Sequence, residues 1–546
     1  MAERYGFLRQ EITKKYGCYK ILKRFQRFLL NAAILTGTSL FMRTITVSFH
    51  VYVSSKIGAA GMGLFSLIMS VYTFAVTFAT SGVSLATTRL CAEYIAREDY
   101  NGAKRSIRVC CIYSIVFGIS ALFILFFGAD FIGCEWLGDQ RTVSSIRLLA
   151  LSLPFISLSS VLSGYFSAVR RVIKTAAAGL FEQLLKISLT VAGLLILAPR
   201  GLEYACLALV GGSSIAEGGS FFVAWILYRL DRRRHMAGAP LKGQGALVSD
   251  VFRRMLSIAF PVALSAYVRS GLVTLEHILI PRGLKKSGAS AERALAAYGT
   301  IHGMVFPVIL FPSALLGAVS GLVVPELTEM STKKETAGIE RTVSRALQMT
   351  LLFAIGSAGA MSCFSSEIGL CLYKSHEAGE YIKVFCSLIP VMYLDGIVDG
   401  MLKGLGQQMA SMRYNIIDSA VSVILVYVLL PQVGIDGYLI TVFVTELLNG
   451  ALSLWRLLRV CPIRLRVWQW IVKPILCTVC ASKLCYWLFS AFPISFSFVY
   501  GNLIFHIACF IVFYISLASL SGTFRWRSLW QFFGFRAKKR VGQLSR

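Results

Sequence analysis

Fourteen stretches of this chain are each long and apolar enough to cross a lipid bilayer, and no other feature limits the fold as much. A spanning helix needs about 20 mostly apolar residues. The runs fall at about residues 28–53, 62–86, 109–128, 144–167, 176–197, 204–228, 255–280, 295–323, 346–366, 381–402, 414–431, 437–456, 472–491 and 497–520. In hydrocarbon every backbone N–H and C=O must be satisfied internally, so such runs read as α-helices. The expectation is an all-α, polytopic membrane protein with about 14 transmembrane helices. Composition agrees: 56% of residues are hydrophobic, only 15% are charged, and the mean hydropathy is +0.68. Soluble domains carry about 25% charged residues. A disordered chain, a collagen-like chain and a disulfide-framework secreted domain are all excluded.

The charges orient the spans. The net charge is +28, from 55 Lys/Arg against 27 Asp/Glu. These basic residues punctuate apolar runs, which is the pattern that sets membrane topology rather than a nucleic-acid surface. With the N-terminus inside and the spans alternating, 40 of the Lys/Arg fall in inside segments, nine in outside segments and six within spans. That asymmetry places both termini in the cytoplasm. Residues 1–27 hold eight Lys/Arg, and the run from Phe28 to Val53 is too long for a cleaved signal, so it reads as a retained first span.

The longest internal polar segment, Tyr228 to Arg254, divides the chain after span six. The expected organisation is a basic cytoplasmic N-terminus (1–27), an N-lobe of spans one to six (28–228), a basic cytoplasmic linker (229–254), a C-lobe of spans seven to twelve (255–456), spans thirteen and fourteen (472–520) and a basic cytoplasmic tail (521–546). Six plus six suggests two lobes around a cavity, as in transporters built from repeats. No Walker A, HExxH or GxSxG pattern occurs, and no loop is long enough for a catalytic domain, so the chain does not read as an enzyme. The fourteen cysteines, including the lone CxxC at Cys477 and Cys480, lack a partner motif for zinc and read as small apolar packing residues.

Charges inside spans are costly, about 2.5–3.5 kcal/mol each on insertion scales, and mark function or pairing. Arg43 and His50 lie seven residues apart in span one and share a face. Arg269 and Glu276 do the same in span seven, followed by His277. Guanidinium forks match phosphate oxygens, so Arg43 and Arg269, with His50, are candidates for holding a diphosphate. The alternative is pairing with acids, Arg269 with Glu276 above all. Oxygen-bearing residues of the second half, Glu276, Asp395, Asp399, Asn415, Asp418, Thr445 and Glu446, could bind Na⁺ or carry a proton, or only join helices. Glu182 and Lys186, four apart in span five, suit a local ion pair.

Four segments carry a family resemblance. Ile57–Tyr94 (IGAAGMGLFSLIMSVYTFAVTFATSGVSLATTRLCAEY) resembles the early part of the polysaccharide-transport proteins of the MOP flippase superfamily. Phe260–Leu284 and Ala297–Met330 are similar to its stage V sporulation protein B branch. The most specific likeness is Leu394–Tyr438 (LDGIVDGMLKGLGQQMASMRYNIIDSAVSVILVYVLLPQVGIDGY). The resemblance implies a MATE-like fold of two six-helix lobes plus two C-terminal helices, working by alternating access in the bacterial cytoplasmic membrane. It implies a polyprenyl-diphosphate-linked oligosaccharide as cargo, a peptidoglycan precursor or polysaccharide unit, as in the lipid II flippases of the superfamily. Membrane lipids are its other partners. Arg43 and Arg269 look similar to the family's cationic residues. Glu276, Asn415, Asp418 and Thr445 are candidate counterparts of a cation site for Na⁺ or H⁺, although this chain has Glu276 where the family often has Asp. No other cofactor is implied. A cation-coupled multidrug exporter of the MATE type, on the same fold, is the alternative.

Overall fold

The computed structural model describes residues 2–235, 248–491 and 499–523. Residues 236–247 of the linker and 524–546 of the tail lie outside the described residues. Among those described, the regular elements are all helices. Twelve are long and apolar enough to cross a membrane, and a bent pair, Gln140–Ala150 with Leu153–Ala168, supplies another. One of the twelve, Leu40–Ala96, has 57 residues, about 85 Å of helix at 1.5 Å per residue, far more than one crossing. It is broken at Gly58, whose φ of 69° and ψ of −176° suit only glycine. It therefore counts as two passes, and the fourteen expected from hydropathy are reached.

The eighth pass differs from expectation. Hydropathy gives one span over 295–323. The structure divides it into Ala291–Gly299, a π-helical turn Thr300–Val305, a short Phe306–Ile309 segment and a separate helix Ser313–Thr332. Pro312 has no N–H and disfavours helix at Phe311, so the chain breaks there. In the bent pair, Pro154 stands in the first turn of the second helix, a position where its missing N–H costs nothing.

Contacts group the helices into two compact units, each discontinuous in sequence. Unit 2 holds Phe49–Met304 and Met412–Thr445. Its core includes Val83, Leu90, Tyr94, Ile107, Tyr165, Phe166, Val251 and Met255. Here Gly63 and Gly299 face each other so closely that a Cβ on Gly299 would lie 2.8 Å from the Cα of Gly63. Small residues let membrane helices approach backbone to backbone in this way.

Unit 1 holds Met1–Ser48, Val305–Ser411 and Glu446–Arg546. Its buried side chains include Leu347, Ile355, Phe385, Ile389, Val398 and Phe510. The Tyr514 hydroxyl donates to the Leu352 carbonyl at 2.7 Å. Exposed Phe127, Ile173, Ile196 and Tyr486 form the apolar exterior expected of a chain solvated by lipid. Cys91, Cys110 and Cys206 are fully buried, in keeping with packing roles.

Candidate functional site

One polar constellation of unit 2 gathers on the Val248–Lys286 and Ala291–Gly299 helices, the π-turn and the Gln408–Val433 and Ile435–Val460 helices. Thr274 fixes the first of these by donating to the Ser70 carbonyl at 3.1 Å. Two residues on, the Glu276 carboxylate accepts the Ser422 hydroxyl and lies in the field of Asp418. His277 Nδ1 is hydrogen-bonded to the Tyr298 hydroxyl at 2.9 Å. His302 Nε2 is hydrogen-bonded to the Tyr438 hydroxyl at 2.8 Å. The two imidazole rings stand edge to face with centroids 4.7 Å apart. Both tyrosines are almost fully buried.

Local sequence explains this placement. Gly299 and Gly303 flank His302 in the run GTIHG. A Cβ on Gly303 would meet the Met62 side chain at 2.9 Å. The two glycines let the turn press against its neighbour, and the wider π-turn sets the direction of His302. Such turns occur often at functional positions.

The structure brings together part of the expected cation set. Glu276 is hydrogen-bonded to Ser422 and lies within the electrostatic reach of Asp418, one turn before Ser422 on the same helix. Asn415 lies one turn before Asp418 on the same helix, where its carbonyl accepts the Ser419 hydroxyl at 2.9 Å. Thr445 is buried, and its hydroxyl donates along its own helix to Thr441 at 3.0 Å. No described contact joins Thr445 to Glu276.

In unit 1 Asp395 and Asp399, named among the oxygen-bearing candidates, have different partners. Asp395 accepts from the Asn449 amide at 3.0 Å. Asp399 pairs with Lys403 at 2.7 Å and accepts from Ser411.

The cationic candidates are distributed between the units. Arg43 belongs to unit 1, is half-buried, and lies in the electrostatic surroundings of Tyr393. The Tyr393 hydroxyl itself donates to the Ile309 carbonyl at 2.6 Å. Arg269 belongs to unit 2 and is exposed. Among the described residues neither arginine forms an ion pair. The pairing of Arg269 with Glu276 considered from spacing is not made, since seven residues put the groups two turns apart. His50 is half-buried and meets Phe49 edge to face.

One further polar group was missed by the sequence reading. The Tyr72 hydroxyl donates to Glu217 Oε2 at 2.5 Å and lies 2.5 Å from Ser152 Oγ. Glu182 and Lys186 act electrostatically on Glu217. The expected Glu182–Lys186 ion pair is not closed among the described residues; Lys186 lies in the field of both carboxylates instead. The signal was present: Glu217 is an acid in the apolar run of span six.

Comparison with known proteins bears on the whole chain. The model of the polysaccharide biosynthesis protein family matches residues 28–331, and the MatE model matches residues 287–428. Stage V sporulation protein B of Bacillus subtilis (strain 168) is 24% identical over 465 residues, covering 83% of this chain and 88% of that protein. The lipid II flippase MurJ of the same organism is 21% identical over 456 residues, covering 79% of this chain and 83% of the relative. A solved structure of lipid II flippase MurJ in an inward closed conformation superimposes with a TM-score of 0.67 at 14% identity, covering 91% of this chain and 99% of that one.

Proposed function

We propose, for a chain that belongs to the polysaccharide biosynthesis protein family, that it is a flippase. Its cargo is a polyprenyl-diphosphate-linked sugar, and it moves that cargo across the bacterial cytoplasmic membrane by alternating access. The fold and relatives support the coarser statement, a multi-pass membrane transporter or flippase related to stage V sporulation protein B and MurJ. The observation that carries the finer one is that Arg43 in unit 1 and Arg269 in unit 2 are each a guanidinium in a spanning helix with no acid holding it among the described residues.

A diphosphate cannot enter hydrocarbon unaided, because burying its charge is very costly. Arginine forks replace its water and match its oxygens. The lipid tail needs no such help and stays in the bilayer. Glu276 with Asp418 and Ser422 supplies oxygen ligands for the coupling ion, Na⁺ or H⁺, and Asn415, one turn before Asp418, and Thr445, on the next helix, would complete the set. The excess of Lys/Arg in alternate loops puts both termini in the cytoplasm.

Native mass spectrometry tests the reading, with the purified protein offered an undecaprenyl-diphosphate sugar and a cationic dye in competition. Retention of the diphosphate lipid, reduced at least tenfold in Arg43→Ala and in Arg269→Ala and partly restored by Lys at each position, is the expected result. Retention of the dye alone, unchanged by either substitution, would assign the protein to cation export instead.

A further inference from the structure

The Tyr72 group in unit 2 has a charge imbalance that the diphosphate and cation candidates leave unused. It draws on four stretches of helix. Tyr72 comes from the pass after Gly58, Ser152 from the bend between Val143–Ala150 and Leu153–Ala168, Glu182 and Lys186 from Val172–Leu197, and Glu217 from Leu202–His235. The groups acting on Glu217 are Tyr72, Ser152, Glu182 and Lys186; those acting on Lys186 are Glu217 and Glu182. Tyr72 in turn is acted on by Glu217, Ser152 and Glu182. Two carboxylates and one ammonium thus lie within electrostatic reach of one another around the Tyr72–Glu217 and Tyr72–Ser152 contacts. With all three ionised the group carries one negative charge in excess, an arrangement that is expensive in a membrane.

Two further side chains extend this polar face. Thr190 is one turn from Lys186 and Ser213 is one turn from Glu217, on the same helix faces. Both are fully buried, and their hydroxyls have no hydrogen-bond partner among the described residues. A Cβ on Gly212 would meet the Thr190 backbone nitrogen at 2.9 Å, so the two helices are in close contact at that level. A buried polar group normally has a partner, and two open hydroxyls beside an uncompensated charge mark a place where something binds.

We propose that Glu182, Lys186, Glu217, Tyr72 and Ser152 form a proton-binding site, in which one proton is taken up on the carboxylate pair. A proton suits the group better than a metal cation does. The Lys186 ammonium already occupies the cationic centre and repels a second ion, whereas a proton adds to a single carboxylate oxygen and leaves no net charge. Tyr72 and Ser152 hold the pair in place: the tyrosine hydroxyl donates to the oxygen that is not protonated. The bend at Ser152 delivers its hydroxyl to the centre, as broken helices deliver polar groups in transporters. The site does not depend on the identity of the cargo, and its failure would leave the diphosphate reading untouched.

The test is infrared difference spectroscopy on the full-length protein in lipid nanodiscs, titrated in Na⁺-free buffer and again with Na⁺ present. The expected result is a carboxylic-acid C=O band from one group that Glu217→Gln or Glu182→Gln removes, since either leaves one ionised carboxylate balanced by one ammonium. Lys186→Met should instead double that component at the same pH, because two carboxylates then lack any cation. Tyr72→Phe should keep the band and shift its frequency, which guards against a fold defect as the cause. A band that none of the three charge-changing substitutions alters, or one controlled by Na⁺ rather than by pH, would overturn the proposal.

Discussion

Unit 2 and unit 1 contain the same clasp. In unit 2, Thr88 Oγ1 donates to the Gly164 carbonyl at 3.1 Å and to its own helix at Ser84. In unit 1, Thr328 Oγ1 donates to the Gly404 carbonyl at 3.1 Å and to its own helix at Val324. The two partners are 76 residues apart in each case. The turns that follow also match. Glu98 and Lys334 both have positive φ, 59° and 56°, as do Arg170 and Gly406 at 56° and 75°. The residue after each of the latter then meets the end of a later helix, and there the units part. Arg171, with Lys174 and Tyr165, holds the buried carboxylate of Asp231. Gln407 instead accepts from Arg456 at 2.6 Å. Packing has been kept between the halves while electrostatics has not: unit 2 closes this corner with charge, unit 1 with a neutral amide.

The largest expected effect tests that contrast directly. Asp231→Ala strands two cations, and should lower stability by about 3 kcal/mol, the low end for a broken buried pair because both cations remain partly exposed. Arg456→Ala removes two hydrogen bonds to the neutral Gln407 amide and should cost about 1.5 kcal/mol, the low end for bonds with one charged partner. Thermal unfolding in detergent measures both, and equal losses would erase the distinction. Next come the clasp glycines. A Cβ on Gly164 would lie 2.6 Å from the Ser84 carbonyl oxygen, and one on Gly404 would lie 2.9 Å from that of Val324. Alanine at either should cost about 1–3 kcal/mol by overpacking, more at Gly164; tolerance at one site alone would show that the clasp matters in only one half. The smallest effect sharpens the likeness. Thr88→Val and Thr328→Val each remove one interhelical hydrogen bond, worth about 0.6 kcal/mol in a membrane, and the two losses should agree.

The spans were legible because a bilayer sets a length that an apolar run must meet, and nothing about partner helices is needed to see it. The same argument exposed Arg43, Arg269 and Glu276, since any charge in such a run is conspicuous. Asp418 was conspicuous for the same reason and lies within the electrostatic reach of Glu276. His302, Tyr298 and Tyr438 were not singled out, because a histidine or tyrosine in an apolar run is unremarkable until its partner is known. Those partners lie 21 and 136 residues away. Glu182 and Lys186 were misjudged for a related reason: their spacing favours a local pair, but Glu217, from another helix, competes for the ammonium. The clasps left no trace in sequence either, because only a threonine and a glycine are shared between them. The break in the eighth pass had its signal in Pro307 and Pro312, which hydropathy alone smooths over.

The π-turn at Thr300–Val305 has a consequence for how this chain can change over time. A π-turn amounts to one residue more than an α-helix would hold over the same length. Deleting a single residue there would let the turn close as ordinary α-helix and leave a competent span whose flanking segments keep their facing, because the turn already absorbs the extra residue. Only residues within the turn, His302 among them, would be re-aimed. His302 would then leave Tyr438, while Tyr298, outside the turn, would stay with His277. A one-residue gap at this place would thus mark a lineage that kept the membrane crossing and gave up the imidazole pair, a distinction that no count of spans would reveal.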